Sequence, residues 1–432
     1  MKNNNVIGID VSEASIKALQ LDIEGTTVAY ESVKLTSGIV KNGNIVDENS
    51  FVNALDELFS KMGLIDVDDD GVKYGVALCL PESKIFSHFC VLPDNIKDSD
   101  SEAFVLQKAE KIIPFKLDNL YWNFHTSEED GIKRATFISV RKDDLDVFVK
   151  AFATAKVELA FVGGELFALG QSLLQEPPLK SDCMILDIGA YTTTIGLFSI
   201  DAVPNASIVI KEGGEHFTRH LVEKLGLTYG EAESQKRHYG LDTSNQETEV
   251  PQMLREYMGP FVDKIREARN FFENITRHPI EQIVIAGGSA LLPKMDSFIS
   301  ERMETNVSIA DPMKKLKGYE LPDKEVPSVL QSVVIGLALV KDYEVFSNLN
   351  FLKKIKRVDF SEMSKDIISA SGAHSLSGLF HKIKHKLRPA DLRVYCMYLT
   401  KKFPGVNFKL ISTMVLLLMA IGFLIFTVSK YF

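Results

Sequence analysis

The chain has 432 residues, enough for two or more domains, and its 45% hydrophobic and 25% charged content is ordinary for a globular protein. A net charge of -9 excludes general nucleic-acid binding as its expected work. Cys79, Cys90, Cys183 and Cys396 show neither metal nor redox spacing, which points to a reducing compartment, and no leader is expected because MKNNN runs straight into VIGID.

In chain order, VIGIDVSEASIKAL (6–19) reads as a strand ending at Asp10, a bend and a second strand. A further strand is expected near 26–35 and a helix over 50–62, capped by Asn49 or Ser50, which sets up α/β alternation. Asp66, Asp68, Asp70 and Gly71 match the opening of a calcium loop, but its bidentate acid would fall at Ala77, so a solvated acidic turn is expected. Residues 72–81 and 85–92 read as neighbouring strands. A helix from Ser101 carries Phe104, Val105, Lys108, Ile112 and Ile113 up to Pro114. With Trp122, a strand at 135–142 and a helix at 143–155, this block reads as a small inserted α+β unit whose aromatics form its core.

VELAFVGGELFALGQSLL (157–174) gives a strand, a glycine turn and a helix. Glu165 at that helix start either polarises a water near a terminal phosphate or is a carboxylate favoured by the helix dipole. MILDIGAYTTTIGLF (184–198) then repeats the opening pattern: overlaying Asp187 on Asp10 sets Gly189 on Ser12 and Thr194 on Lys17. Gly189 lets the backbone bend, and Thr192, Thr193 and Thr194 add hydroxyls to the N–H groups of a turn able to cradle an anion. Asp187, at the strand end, would hold a divalent cation through water. Each hairpin taken alone reads as well as a plain turn.

Residues 207–226 give a strand, a Gly213-Gly214 turn and a helix, and a second helix covers 229–238. Three- and four-residue offsets put Glu233, Lys236 and Arg237 on one face. The trio either binds a ribose and stacks a guanidinium on a purine, or is a wet surface. IVIAGGSALLP (283–293) adds the paired Gly287 and Gly288. Two hairpins and a third loop suggest two similar halves closing on one nucleotide.

The order of these motifs resembles the five nucleotide motifs of the superfamily of actin, heat-shock chaperones and sugar kinases. More narrowly, QKAEKIIPFKLDNLYWNF, VGGELFALGQ, GGEHFTRHL before GEAESQKR, Asp311-Pro312 and SVVIGLAL are similar to the type IV pilus assembly PilM family, a relative of FtsA, over residues 6–341. The resemblance implies an α/β, actin-like (duplicated RNase H-like) ATPase fold over 1–342, with 80–155 inserted and 212–280 a second-half subdomain. It assigns Asp10, Ser12, Ser15 and Lys17 to the first phosphate loop, and Asp187, Gly189 and Thr194 to the β- and γ-phosphates. Gly287, Gly288 and Ser289 fall to the adenosine side, Glu233, Lys236 and Arg237 to ribose and base, and Glu165 to water activation, with Thr192 and Gly214 counted among the cofactor-binding residues. ATP with Mg²⁺ held near Asp10 and Asp187 is the implied cofactor. Ser12 replaces a customary Gly, Glu13 a small hydroxyl residue and Gly163 an acid; a carboxylate beside a phosphate is repulsive, so ATP binding without fast hydrolysis is expected.

After Val340 a basic linker is expected over 343–405, where His381 and His385 read as solvent or lipid-headgroup contacts and not as a metal site. Residues 408–430 contain an uncharged run of about 20 residues, which reads as one C-terminal transmembrane helix. Lys401, Lys402 and Lys409 before it place the N-terminal domain in the cytoplasm, single-pass in the inner membrane. NLNFLKK (348–354) is faintly similar to the Asn-Leu-Leu-Pro-like peptide that the PilN partner of this family carries, although a simple linker is the favoured reading. The resulting expectation is a membrane-anchored ATP-binding scaffold of type IV pilus assembly, meeting PilN-like and other pilus components, lipid and possible further copies of itself. A tether for a division filament, a secretion assembly protein and a small-molecule kinase of the same fold are the alternatives.

Overall fold

The computed structural model describes residues 6–353 except 23, 65–74, 130, 175–178, 245–247, 317–325 and 341–347. The acidic run at Asp66, the stretch 354–405 with His381 and His385, and the apolar stretch 408–430 lie outside the described residues. The placement as a single-pass inner-membrane protein needs correction: among the described residues no helix is long and apolar enough to cross a membrane.

The first half opens as an antiparallel meander, β1 (Val6–Val11), β2 (Ser15–Leu21) and β3 (Thr27–Lys34), followed by a short hairpin, β4 (Val40–Lys41) and β5 (Asn44–Ile45). Helix α1 (Glu48–Lys61) starts earlier than its apolar spacing suggested, because the Asp47 carboxylate, and not Asn49 or Ser50, accepts the Ser50 N–H at 3.1 Å. Strand β6 (Gly75–Leu80) returns parallel to β1. The chain then leaves the sheet for β7 (Ile85–Val91), α2 (Asp98–Ala109), β8 (Leu120–Glu129), β9 (Ile132–Arg141) and α3 (Lys142–Thr154). Strands β7, β9 and β8 form a separate three-stranded antiparallel sheet. Its core holds Val105, Leu120 and Phe137, with Trp122 stacked 6.0 Å from Phe137, so the tryptophan packs as expected. Helix α2 stops at Ala109, which leaves Ile112 exposed.

Strand β10 (Leu159–Gly164) rejoins the first sheet parallel to β6, and α4 (Glu165–Leu173) crosses to the second half. There β11 (Cys183–Ile188), β12 (Thr193–Phe198) and β13 (Pro204–Ile210) form another meander, followed by α5 (Gly214–Leu225), α6 (Tyr229–Tyr239) and α7 (Val250–Thr276). Strand β14 (Gln282–Ala286), α8 (Met295–Met303), β15 (Asn306–Ile309) and α9 (Ser332–Ala338) complete the described elements.

The two large sheets read β10-β6-β1-β2-β3 and β15-β14-β11-β12-β13. One topology has been written twice. The crossing helices exchange partners: α4 buries Leu166 and Leu169 under the second sheet beside Ile185 and Val284, while α9 buries Val334 and Ile335 under the first beside Leu19 and Leu21.

Candidate functional site: paired hairpins and glycine turns

The duplication places the two hairpins in the same register. Asp10 pairs with Lys17 across β1–β2, and Asp187 pairs with Thr194 across β11–β12, the overlay expected from their spacing. In the first hairpin the Lys17 ammonium donates to Asp10 at 3.0 Å and to the Leu330 carbonyl at 3.1 Å. Burial opposes the charge on Lys17, but the Asp10 carboxylate outweighs it and raises the ammonium above its usual range. The Ser12 and Ser15 side chains close the bend on themselves, the Ser15 N–H donating to Ser12 Oγ at 3.1 Å. The Glu13 carboxylate accepts the Asn42 N–H at 2.6 Å.

In the second hairpin the Gly189 N–H donates to the Thr192 carbonyl at 2.9 Å. The Gly189 and Ala190 carbonyls in turn accept the N–H groups of Gly214 (2.9 Å) and Glu215 (2.8 Å), and Ser289 Oγ donates to Gly189 at 3.4 Å. The turns at 187–192 and 213–215 are thereby joined through their backbones, and the turn at 287–289 reaches the first through the Ser289 side chain. A Cβ at Gly213 would meet the Gly189 and Ala190 carbonyls, and one at Gly214 would lie 2.6 Å from Ser289 Oγ. Gly287 is doubly required, with φ at +80° and Asp187 Oδ1 where a side chain would go. Thr192 is exposed and Thr194 is buried opposite Asp187. Thr193 needs correction: its hydroxyl donates to the Glu212 carbonyl at 2.8 Å, on the other face of the strand from Thr194.

Glu165 is the first residue of α4 and stands in the field of Asp187 and Asp10. Both Glu165 and Asp187 keep some solvent-facing surface but are otherwise enclosed by protein. Burial first, then the charges of Asp187, Asp10 and Glu82, holds the Glu165 carboxyl well above its usual range, while burial and Asp10 push Asp187 up to about 6. Glu82 went unnoticed in the sequence. It opens the turn after β6, is 5% exposed, and is pushed up to about 7 by burial against the opposing pull of the Ser207 hydroxyl and the Leu166 N–H.

The charged trio on α6 is not a uniform wet face. Lys236 is 5% exposed and donates to the Gly214 carbonyl and to Thr218 Oγ1, each at 2.8 Å, while pairing with Glu233 at 2.7 Å. Arg237, exposed, pairs with the other oxygen of Glu233 at 2.6 Å. These two cations and the Thr218 hydroxyl outweigh burial and hold the Glu233 carboxyl at about 2. A separate cavity of about 330 Å³ between α7 and α8, lined by Arg255, Glu256, Phe298, Glu301 and Arg302, shares no residue with the turns. The neighbouring carboxylates and the backbone cradles make the turns, and not that cavity, the candidate site. Turns stripped of Cβ suit a phosphate chain, and Asp187, pushed up to about 6 by burial and Asp10, is a carboxyl whose charge a cation beside it would favour, although among the described residues no cluster of three metal-ligating side chains forms.

Two halves of equal topology, each offering a hairpin to the same turns, define an actin-like ATPase fold. Residues 8–340 match the family described as type IV pilus assembly protein PilM, and the chain belongs to that family. Among solved structures it is similar to a PilM-PilN type IV pilus biogenesis complex, with 18% identity and a TM-score of 0.62 over 78% of this chain and 98% of that one. It is also similar to the ethanolamine utilization protein EutJ from Carboxydothermus hydrogenoformans, with 16% identity and a TM-score of 0.46 over 77% and 88%. At these identities the likeness concerns the fold.

Proposed function

We propose that the chain is a nucleotide-responsive scaffold of type IV pilus assembly, with ATP and Mg²⁺ held between its halves and a PilN-like pilus component as partner. The observation that carries this reading is Asp187, which feels the charge of Asp10 and acts on Glu165 while its carboxylate lies against the Gly287 turn. Asp187, Gly189, Thr192 and Thr194 take the β- and γ-phosphate side, and Asp10, Ser12, Ser15 and Lys17 the other phosphate loop. Gly214, Gly287, Gly288 and Ser289 line the adenosine side, and Glu233, Lys236 and Arg237 the ribose and base. Asp10 and Asp187 would hold Mg²⁺, which when bound would supply the positive charge that lets two carboxylates face a triphosphate.

Lys17 is engaged by Asp10 and the Leu330 carbonyl, so binding an anion there requires it to exchange partners, a rearrangement that joins the first hairpin to the segment leading into α9. Glu165 stands where it would orient a water, and burial with the charges of Asp187 and Asp10 raises its carboxyl well above the usual range, which makes it a poorer base for hydrolysis. A clamp of this kind acts through different partner affinities in its open and closed states. The test is calorimetric titration with ATP and Mg²⁺. Wild type is expected to bind, and Asp187→Ala to lose at least tenfold in affinity and most of the Mg²⁺ dependence; equal heats would sink the site.

A further inference from the structure

The recess between the start of α7 and the end of α8 encloses about 330 Å³ and lies apart from the nucleotide turns. Its apolar wall is Phe298, a ring 1% exposed. Two guanidiniums, those of Arg255 and Arg302, lie over that one ring, each with its central carbon 5.1 Å from the ring centre. They therefore stand no more than about 10 Å apart, drawn to the face of the ring in a way that leaves N–H groups for other acceptors. The chain offsets this gathering of like charges only in part. Arg255 donates from Nε to the Leu241 carbonyl at 2.9 Å, and its Nη1 is 3.8 Å from Glu301, beyond hydrogen-bond reach. Among the described residues no carboxylate or carbonyl pairs with the Arg302 guanidinium, which rests on the α7 backbone at Gly259, where an added Cβ would be 3.5 Å from Nη1. The Arg302 carbonyl accepts from Arg266 at 2.7 Å, which fastens the end of α8 to α7. A single solvated arginine on a surface needs no explanation. Two fixed on one buried ring beside an open volume do, because like charges free in solvent would move apart.

We propose that this recess binds a small phosphate monoester of a polyol or sugar, with its phosphate between Arg255 and Arg302. A phosphate monoester carries about two negative charges at neutral pH and three acceptor oxygens, which matches two guanidinium forks; a carboxylate is satisfied by one. The rest of the lining sets the rest of the ligand. Glu256, which accepts from Gln252 at 3.1 Å, stands there with Glu301 and Thr243, so the part away from the phosphate meets two carboxylates, an amide and a hydroxyl. Such a lining accepts hydrogen bonds from hydroxyl groups and repels further negative charge. A polyol phosphate fits both ends, whereas a nucleoside triphosphate would bring its remaining charge against Glu256 and Glu301. The volume stands at the small end of the range for ligand pockets, which suits an ester of monosaccharide size. The recess shares no residue with the turns, so the inference stands whether or not they hold a nucleotide.

The test is calorimetric titration of the full chain with the terminal phosphate monoesters of glycerol, ribose and glucose. Wild type is expected to bind at least one of them with a Kd of about 1 mM or tighter. Arg302→Gln, which removes one fork from an exposed position, is expected to weaken that binding at least tenfold. Thr243→Glu keeps both arginines and sets a further carboxylate at the recess from an exposed position. It is expected to abolish binding, and it decides the matter if Arg302→Gln loses its cooperative melt. Asp187→Ala is expected to bind the ester as wild type does. No binding of any of the three esters to wild type, or binding unchanged in Arg302→Gln or in Thr243→Glu, overturns the proposal. Loss of binding in Asp187→Ala would put the ester in the nucleotide turns and overturn it as well. Inorganic phosphate bound as tightly as the best ester would mean that the recess holds a bare anion only, and overturns the assignment to an ester.

Discussion

Glu82 touches neither proposed phosphate loop, yet it carries one of the most displaced carboxyls in the chain, because the turn after β6 drives it among Ile85, Gly164, Leu166 and Phe167. Its ordinary value of 4.5 applies to the unfolded chain and about 7 to the folded one. Between those values the folded state binds the extra proton, so the Glu82 contribution to stability falls as pH rises through that window and is fully lost above it. Glu82→Gln, which keeps an acceptor without a charge, is expected to match wild type at pH 4 and to exceed it by about 1–3 kcal/mol at pH 8. Urea unfolding at the two pH values checks this, and a constant difference would show that the group does not titrate in that window. Gly287→Ala is expected to cost 2 kcal/mol or more, roughly, since it adds backbone strain at positive φ and a methyl against Asp187; a melting curve checks it. Asp10, Lys17, Asp187 and Thr194 were legible in the sequence because equal spacing across two hairpins encodes equal register. The turn of Thr193 away from the cradle was readable in principle, because neighbours on a strand alternate faces. Glu82 was not readable: its neighbours Leu166 and Ser207 are far along the chain, and a turn acid gives no sign of which turns are buried.

At the scale of single elements, α6 is held at both ends by different means. Thr228 and Glu231 form a reciprocal cap at its start, and Lys236 fastens its last turn to the first residue of α5. Replacing a largely buried, three-partner ammonium strands the groups it served, whereas removing a solvent-exposed ion pair costs little. Lys236→Met is therefore expected to destabilise by about 2 kcal/mol or more, and Arg237→Ala by about 0.5 kcal/mol or less, in chemical denaturation. Equal losses would show that the trio is a surface network after all. The sequence disclosed the shared face through offsets of three and four residues. It did not disclose which member faces inward, because that is decided by the approach of α5 and its glycine start. The segment at 348–353 is not the simple linker expected, for a related reason: Asn350 accepts the Val162 N–H and donates to the Ala160 carbonyl on β10, some 190 positions earlier.

Across the whole molecule, the repeat of one hairpin pattern follows from local spacing and so was visible early, whereas the crossing of α4 and α9 between the halves had no local signal. The closeness of the crossing was equally hidden. At Gly336 a methyl would overlap the Ala168 carbonyl, and at Gly8 it would lie 2.7 Å from the Val334 carbonyl, so α9 meets α4 on one side and β1 on the other with no side chain between. Gly336→Ala is expected to lower stability by about 3 kcal/mol and to weaken ATP binding at a distance, measured by melting temperature and by titration. Unaltered melting would mean the helices have room to part. Main chain bearing directly on main chain leaves no side chain between α9 and its neighbours to yield, so a displacement of one half is passed on to the other. In the proposed clamp, a partner that distinguishes loaded from empty protein would therefore span both halves or sit far from this crossing, where a given rotation displaces the surface most.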